Sequence, residues 1–255
     1  MRFKNLGSGS TGNATVVETS GTRPTRLLVD CGFGLRQLTE RLGHAQLAPT
    51  DIDAIFITHE HGDHIGCAAA LALKYSIPVW MSQGTYEAIF SPDLKGLLRF
   101  AKDAEVFCLN DLHVTPFTVP HDAREPLQLT CSQGLHKLGV LTDLGHATAH
   151  VAHHLKHCNA IVLECNHDTE LLDNSVYPAF LKKRVGGAYG HLSNTAAADI
   201  AANCQHADLH HIVAAHLSQE NNRPELVRTC LGQVLGLSTD ITIATAAEGC
   251  SWTGL

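Results

Sequence analysis

Apolar runs of four to seven residues alternate along this chain with stretches of helical period. The runs predict strands over 1–6, 14–19, 26–30, 54–58, 78–82, 105–109, 113–119, 127–131, 138–142, 160–164, 211–215 and 241–246. Helices are predicted over 34–43, 64–75, 147–158, 193–204 and 224–235, with 84–100 helical in pieces. Many strands with helices interspersed indicate an α/β layered fold. No low-complexity linker divides the chain. Residues 1–255 therefore read as one domain of two related halves, about 1–104 and 105–255, although no clear repeat joins them.

Polar residues gather where these strands end. Asp30 follows Leu27-Leu28-Val29, and His59 follows the run through Ile57. His121 follows Phe117-Thr118-Val119-Pro120, and Asp143 follows Val140-Leu141-Thr142. Glu164 ends Ile161-Val162-Leu163, and His216 follows Ile212-Val213-Ala214-Ala215. A sheet holds the loops at its strand ends rigidly, so such residues are candidate chemistry.

Composition narrows the picture. With 44% hydrophobic residues in 255 there is enough for a full core. A formal charge of −7 argues against whole-surface attraction to nucleic acid or anionic membrane, so a polyanionic substrate would need a local cationic site. No apolar run reaches membrane-spanning length, and the start MRFKNLGSGS lacks a signal-peptide core. Nine cysteines, an odd number without a Cys-x-x-Cys pair, suggest buried free thiols in a reducing cytoplasm. The oligomeric state stays open, a homodimer included.

The densest chemistry is THEHGDH, residues 58–64. His59 and His61 are two apart and face one way in extended chain. Gly62 permits a turn, after which Asp63 and His64 open a helix. Imidazole and carboxylate together suit zinc or manganese. Asp63 and His64 point away from the His59/His61 pair, so one ion cannot easily use all four, whereas two adjacent ions can. Asp63 alone could instead serve the helix N-terminus. Further ligands would come from His121, His216 and Asp143. Asp143 could equally cap the next helix, and His146 is a rival to His121. His150, His153, His154 and His157 fall on one helical stripe and read as a solvated face.

Read together, GSGSTGN (7–13), LLVDCG (27–32), THEHGDH, VPHDA (119–123), LTDLG (141–145), ECNHD (164–168), GHLSN (190–194) and HLSQENNRPEL (216–226) resemble the metallo-β-lactamase-fold superfamily. The last three are most similar to its YycJ/WalJ-type branch of 5′→3′ DNA exonucleases, related to RNase Z-like phosphodiesterases. The resemblance implies a four-layer αββα sandwich with the site at one edge between two sheets. It implies one metal on His59, His61 and His121, and a second on Asp63, His64 and His216, with Asp143 bridging. The ions would be zinc or manganese, with iron also accepted, and would share a hydroxide oriented by Asp63. The resemblance further implies that His191 contacts substrate near the leaving group, with Glu164 orienting it. Asp30 is a candidate to brace the metal loop through hydrogen bonds.

The expected activity is phosphodiester hydrolysis at nucleic-acid ends. A hydrolase of thioesters, lactones or β-lactams on the same centre is the alternative, and a non-catalytic metal-binding protein a third reading. The glycine-rich loop could present Ser8, Ser10, Asn13 and converging backbone N–H groups to a terminal phosphate, or could be a plain turn. Asn221 and Asn222 either bind substrate or tie down their loop. Lys182-Lys183-Arg184 reads as a solvated helix end or a phosphate track.

Overall fold

The strand Ala54–Phe56 shows how the layers arise. Its side chains alternate, so Ala54 and Phe56 enter one core while Ile55 enters another. The computed structural model describes residues 1–255, and the same division holds across it. One seven-stranded sheet contains β1 (Arg2–Gly7), β2 (Ala14–Glu18), β3 (Arg26–Val29), β4 (Ala54–Phe56), β5 (Val79–Met81) and β6 (Leu98–Phe100). The second contains β7 (Phe107–Leu109), β8 (Leu112–Thr118), β9 (Leu127–Gln133), β10 (His136–Leu141), β11 (Ala160–Glu164), β12 (His211–Ala215) and β13 (Asp240–Ile243). The closing strand β14 (Thr253–Gly254) returns to the first sheet beside β1.

Phe3, Val17, Val29 and Phe56 of the first sheet meet Leu129, Val140, Val162 and Val213 of the second in a shared core. On the outer face of the first sheet lie α1 (Leu35–His44), α2 (Gly62–Ile65), α3 (Ala68–Tyr75) and α4 (Gln83–Ala88). Leu38, Leu42, Leu71 and Ala72 of these helices bury against Leu28, Ile55 and Val79. The outer face of the second sheet carries α5 (Ala149–Leu155), α6 (Thr169–Asn174), α7 (Ala179–Val185), α8 (Asn194–Asn203) and α9 (Pro224–Val234). Val151, Leu155, Ala197, Val227 and Leu231 pack there on Ile161, Leu163 and Ile212. These are the four layers, αββα, that the family resemblance implied.

Strand direction then decides where the polar strand ends fall. β3 to β6 run parallel, as do β10 to β13. β8 is antiparallel to β9, which is antiparallel to β10, so β8 shares the direction of β10. The residues after β3, β4, β8, β10, β11 and β12 therefore emerge along one edge, where open α/β sheets place their sites.

Several expectations need correction. Residues 84–100 form one short helix and then the edge strand β6, whose half-exposed residues give no apolar run to read. The helix expected over 64–75 breaks in two at Gly66, which has φ +29° and lies where a Cβ would strike the Cys31 carbonyl. α6, α7 and β14 went unforeseen, being short, and α7 has no buried face. The histidine stripe also breaks, since α5 ends at Leu155 and His157 lies beyond it at φ +60°. His150 meets Asp103 at 2.7 Å, and His154 stacks on Phe117. All nine cysteines are free and seven are buried, so the thiols serve as small apolar side chains. No helix is long and apolar enough to cross a membrane.

Candidate metal centre

All seven predicted metal ligands converge at this edge. His59 Nε2 lies 3.0 Å from His61 Nδ1, and His121 Nε2 lies 3.3 Å from the same atom. Three metal–nitrogen bonds of about 2.0–2.1 Å in a tetrahedron place their nitrogens roughly 3.3 Å apart. This set therefore has the spacing of one ion's ligands. A second set adjoins it, with Asp63 Oδ2 3.3 Å from His216 Nε2 and 3.6 Å from His64 Nε2. Asp143 stands between them. Its Oδ2 is 3.0 Å from His64 Nε2, and its Oδ1 is 3.1 Å from His216 Nδ1 and 4.0 Å from His121 Nε2. Yet Asp143 Oδ2 is buried, and no backbone N–H, hydroxyl or amide donates to it, leaving His64 Nε2 as its one close polar neighbour. A sealed carboxylate oxygen facing an imidazole nitrogen, with no other donor, fits a divalent cation, as does the all-histidine-and-carboxylate donor set. His146 is excluded from either set, because it is exposed and bonded to the Ala188 carbonyl at 2.8 Å.

The surroundings fix which nitrogen each ring presents. His64 Nδ1 meets Asp30 Oδ2 at 2.8 Å, His59 Nδ1 meets Thr58 Oγ1 at 3.0 Å, and His121 Nδ1 meets the Gly190 carbonyl at 3.0 Å. Each leaves Nε2 aimed inward, the arrangement by which outer partners orient metal ligands. Asp30 in turn accepts the backbone N–H and hydroxyl of Thr58. Asp30 and His216 both sit at positive φ, 62° and 55°, conformations a non-glycine residue keeps only where its surroundings enforce them. Glu164 is the hub on the other side. Its Oε1 meets His191 Nδ1 at 2.7 Å and His216 Nδ1 at 3.1 Å, while Oε2 accepts the N–H groups of Leu144 and Leu192. Its role thus extends beyond the single partner the sequence suggested. Glu60 turns away and accepts the Arg124 N–H.

The electrostatics of the chain's own groups follow from burial set against charge. Burial opposes the charge on His64, but the carboxylates of Asp143 and Asp30 overrule it and push the imidazole up to about 10. Burial likewise opposes His191, which Glu164 and Asp143 push up to about 9. His216 is raised well above its ordinary value against burial, by Asp143 above all. Asp143, despite its burial, is held well below the carboxylate range by His216 and His64. His59 is driven well down by burial and by His64, so its lone pair stays available. Protons thus occupy positions on His64 and His216 that cations would take. Metal binding must displace them, so affinity rises with pH and loading releases protons. Titrating zinc into the metal-free protein at pH 7.5 in weak buffer is expected to release about one proton or more per chain. Uptake without acidification would contradict this assignment of the protons.

The residues expected to bind substrate fare differently. Ser8 is buried, donates to Asn13 Oδ1 and accepts the His216 N–H at 2.7 Å. Asn13 is buried and its Nδ2 lies 3.2 Å from both the Asp63 carbonyl and His64 Nε2. Asn222 is buried and bonded to Asn194 and the Cys165 carbonyl. These three are braces for the ligand loops, their polar atoms being spent inside the protein. Most amides of the glycine loop are also used within the protein. The N–H groups of Gly7, Ser8, Gly9, Gly12 and Asn13 all donate to protein acceptors. Ser10 and Thr11 are exposed at the loop tip, and Asn221 is buried with its amide unpartnered. Sequence reasoning missed Thr58 and Asp122. Asp122 Oδ1 lies 3.5 Å from His121 Nε2, and its place next to His121 in VPHDA was the available signal.

Residues 25–216 match the Beta-lactamase superfamily domain. The chain is 36% identical over 240 residues to exodeoxyribonuclease YycJ of Bacillus anthracis, covering 92% of this chain and 89% of that protein. It is 31% identical over 253 residues to exodeoxyribonuclease WalJ of Streptococcus pneumoniae, covering 95% and 93%. Among solved structures, zinc-bound PqqB of Methylobacterium extorquens superposes over the whole of both chains with a TM-score of 0.76 at 15% identity, a likeness of fold. The chain belongs to the metallo-β-lactamase-fold superfamily, on its YycJ/WalJ-type branch.

Proposed function

We propose that this protein is a dinuclear metal-dependent phosphodiesterase that removes nucleotides from the 5′ ends of nucleic-acid strands. The observation that carries the reading is His191, held by Glu164 and directed at Asp143 beside two adjoining ligand sets. The named exodeoxyribonuclease relatives supply the substrate class. Both ligand sets draw on both sheets, so we read residues 1–255 as one functional unit.

Divalent ions held there, zinc, manganese or iron, would supply charge against the phosphate oxygens and a shared water acidic enough to attack phosphorus near neutral pH. The chain's own groups do the rest. Asp63 is the most open carboxylate of the sets, its side chain 22% exposed, and its second oxygen can orient the attacking water. His191 gives its Nδ1 to Glu164, so Nε2, which bonds nothing in the protein, can donate a proton to the departing 3′ oxygen. His59, His64, His121, Asp143 and His216 are buried, which keeps bulk water from competing for the phosphate. Of Ser8, Ser10 and Asn13, Ser10 is the one exposed and free to contact substrate.

Single-stranded DNA and RNA oligonucleotides incubated with the manganese- or zinc-loaded protein test this. Stepwise loss of nucleotides from the 5′ end is expected, slowed by about a hundredfold or more in His61→Ala, since even partners outside the ligand shell cost 10–100-fold. Intact oligonucleotides together with hydrolysis of nitrocefin or a glutathione thioester would overturn the proposal and favour a small-molecule hydrolase.

A further inference from the structure

A cavity of about 500 Å³ opens beside the centre, with His191 in its wall. It lies among α6, α7 and the turn that leads into α8, and Lys182, Lys183, Thr169, Ser193 and His167 line it. His167 is 3% exposed, yet neither ring nitrogen has a hydrogen bond in the protein, and Nδ1 is sealed off without a partner. A sealed acceptor is tolerated better than a sealed N–H, so the ring proton belongs on Nε2. That nitrogen lies beside Gly186, another lining residue, 3.9 Å from where a Cβ would stand. Burial lowers the affinity of His167 for a second proton, so the ring is a neutral donor.

The cations around it are available. Lys183 is exposed and forms neither hydrogen bond nor ion pair. Lys182 Nζ gives one N–H to the Asp173 carbonyl at 2.7 Å and keeps two. Ser193 Oγ accepts the Ala196 N–H and has its own proton to give. Arg184 is committed elsewhere, to Asp122 at 2.6 Å. The pocket thus offers two ammonium groups, two hydroxyls and one buried imidazole N–H, with the Asp173 side chain the acid on its lining. That is a donor set for a phosphate dianion on a chain whose net charge is −7.

We propose that this cavity is the subsite for the 5′-terminal phosphate of the strand being degraded, held by Lys182, Lys183 and His167 Nε2. The inference rests on the function proposed above. If His191 serves the departing 3′ oxygen, that oxygen belongs to the terminal nucleotide. The 5′ phosphate of the same nucleotide then lies one sugar further on, on the His191 side of the centre. End recognition falls to α7 and the residues after β11, in place of the glycine loop, where all amides but those of Ser10 and Thr11 are spent.

Binding to the manganese-loaded protein tests it, using 3′-fluorescein single-stranded DNA whose first linkage is an uncleavable methylenephosphonate. Fluorescence anisotropy is expected to show the 5′-phosphorylated strand binding about tenfold tighter than the 5′-hydroxyl strand, the worth of one charge-assisted hydrogen bond. Lys183→Ala changes an exposed residue, and His167→Phe removes the donor while filling the same buried space. Each is expected to close most of the gap. Equal binding of the two ends by the wild type, or a gap that survives either substitution, overturns the proposal. Hydrolysis of bis(p-nitrophenyl) phosphate by the wild type separates the two levels. Without it the phosphodiesterase reading falls and takes the subsite with it, whereas hydrolysis with equal end binding removes the subsite alone.

Discussion

Asp143→Asn is expected to lower hydrolysis by more than about a hundredfold and to leave the chain folded but unable to retain a full complement of metal. Asparagine keeps the shape and removes the charge. In the native side chain Oδ2 has only His64 Nε2 as a close polar neighbour, at 3.0 Å, and Oδ1 faces His216 at 3.1 Å and His191 at 3.4 Å. An amide cannot satisfy those neighbours equally. Its oxygen is a weaker ligand, and its NH2 would point at a cation. The substitution also removes the main counter-charge of His216 and His64, so the proton affinity of both rings falls. Metal content per chain, measured after exhaustive dialysis, checks the first effect. Near-wild-type activity and metal retention in Asp143→Asn would show that the two ligand sets do not share this residue.

Glu164→Ala is expected to cost about 3–5 kcal/mol of stability, the usual result of stripping one partner from a buried charged network. The carboxylate is fully buried, and its loss leaves His191, His216 and the N–H groups of Leu144 and Leu192 without their acceptor. At roughly 2–4 °C per kcal/mol in a chain of this size, the midpoint of thermal unfolding should fall by about 10 °C. Glu164→Gln separates structure from chemistry, because it keeps the volume and an acceptor oxygen. Glutamate raises the pKa of His191, so removing its charge lowers that pKa. A general acid works below its pKa, and the alkaline limb of the pH–rate profile should therefore move to lower pH in Glu164→Gln. A limb that stays in place would show that His191 is not the proton donor.

The centre was legible in the sequence for a physical reason. Its ligands follow apolar runs, so the end of each strand marks where a rigid side chain emerges, and THEHGDH places four candidates in a row. The apolar runs alone leave Asp143 one of several candidates, and its bridging place comes from the family resemblance, because β10 and β4 belong to different sheets. The glycine loop misled for a related reason. Its composition permits an anion nest, but whether its amides are free depends on acceptors as distant as the Thr245 carbonyl, which takes the Ser8 N–H. Asn13 reads as a substrate ligand, and Asn222 as either a ligand or a loop tie; both are buried and bonded within the protein. The cavity at α7 was only half legible, because Lys182-Lys183-Arg184 reads as a solvated helix end or a phosphate track, and only folding sets the lysines in one cavity with His167.

Anomalous diffraction from crystals of the manganese-loaded protein tests the central claim most directly. The account predicts two peaks about 3.5–4 Å apart, one among His59, His61 and His121, the other among Asp63, His64 and His216, with Asp143 reaching both. A single peak, or peaks away from these side chains, would contradict it.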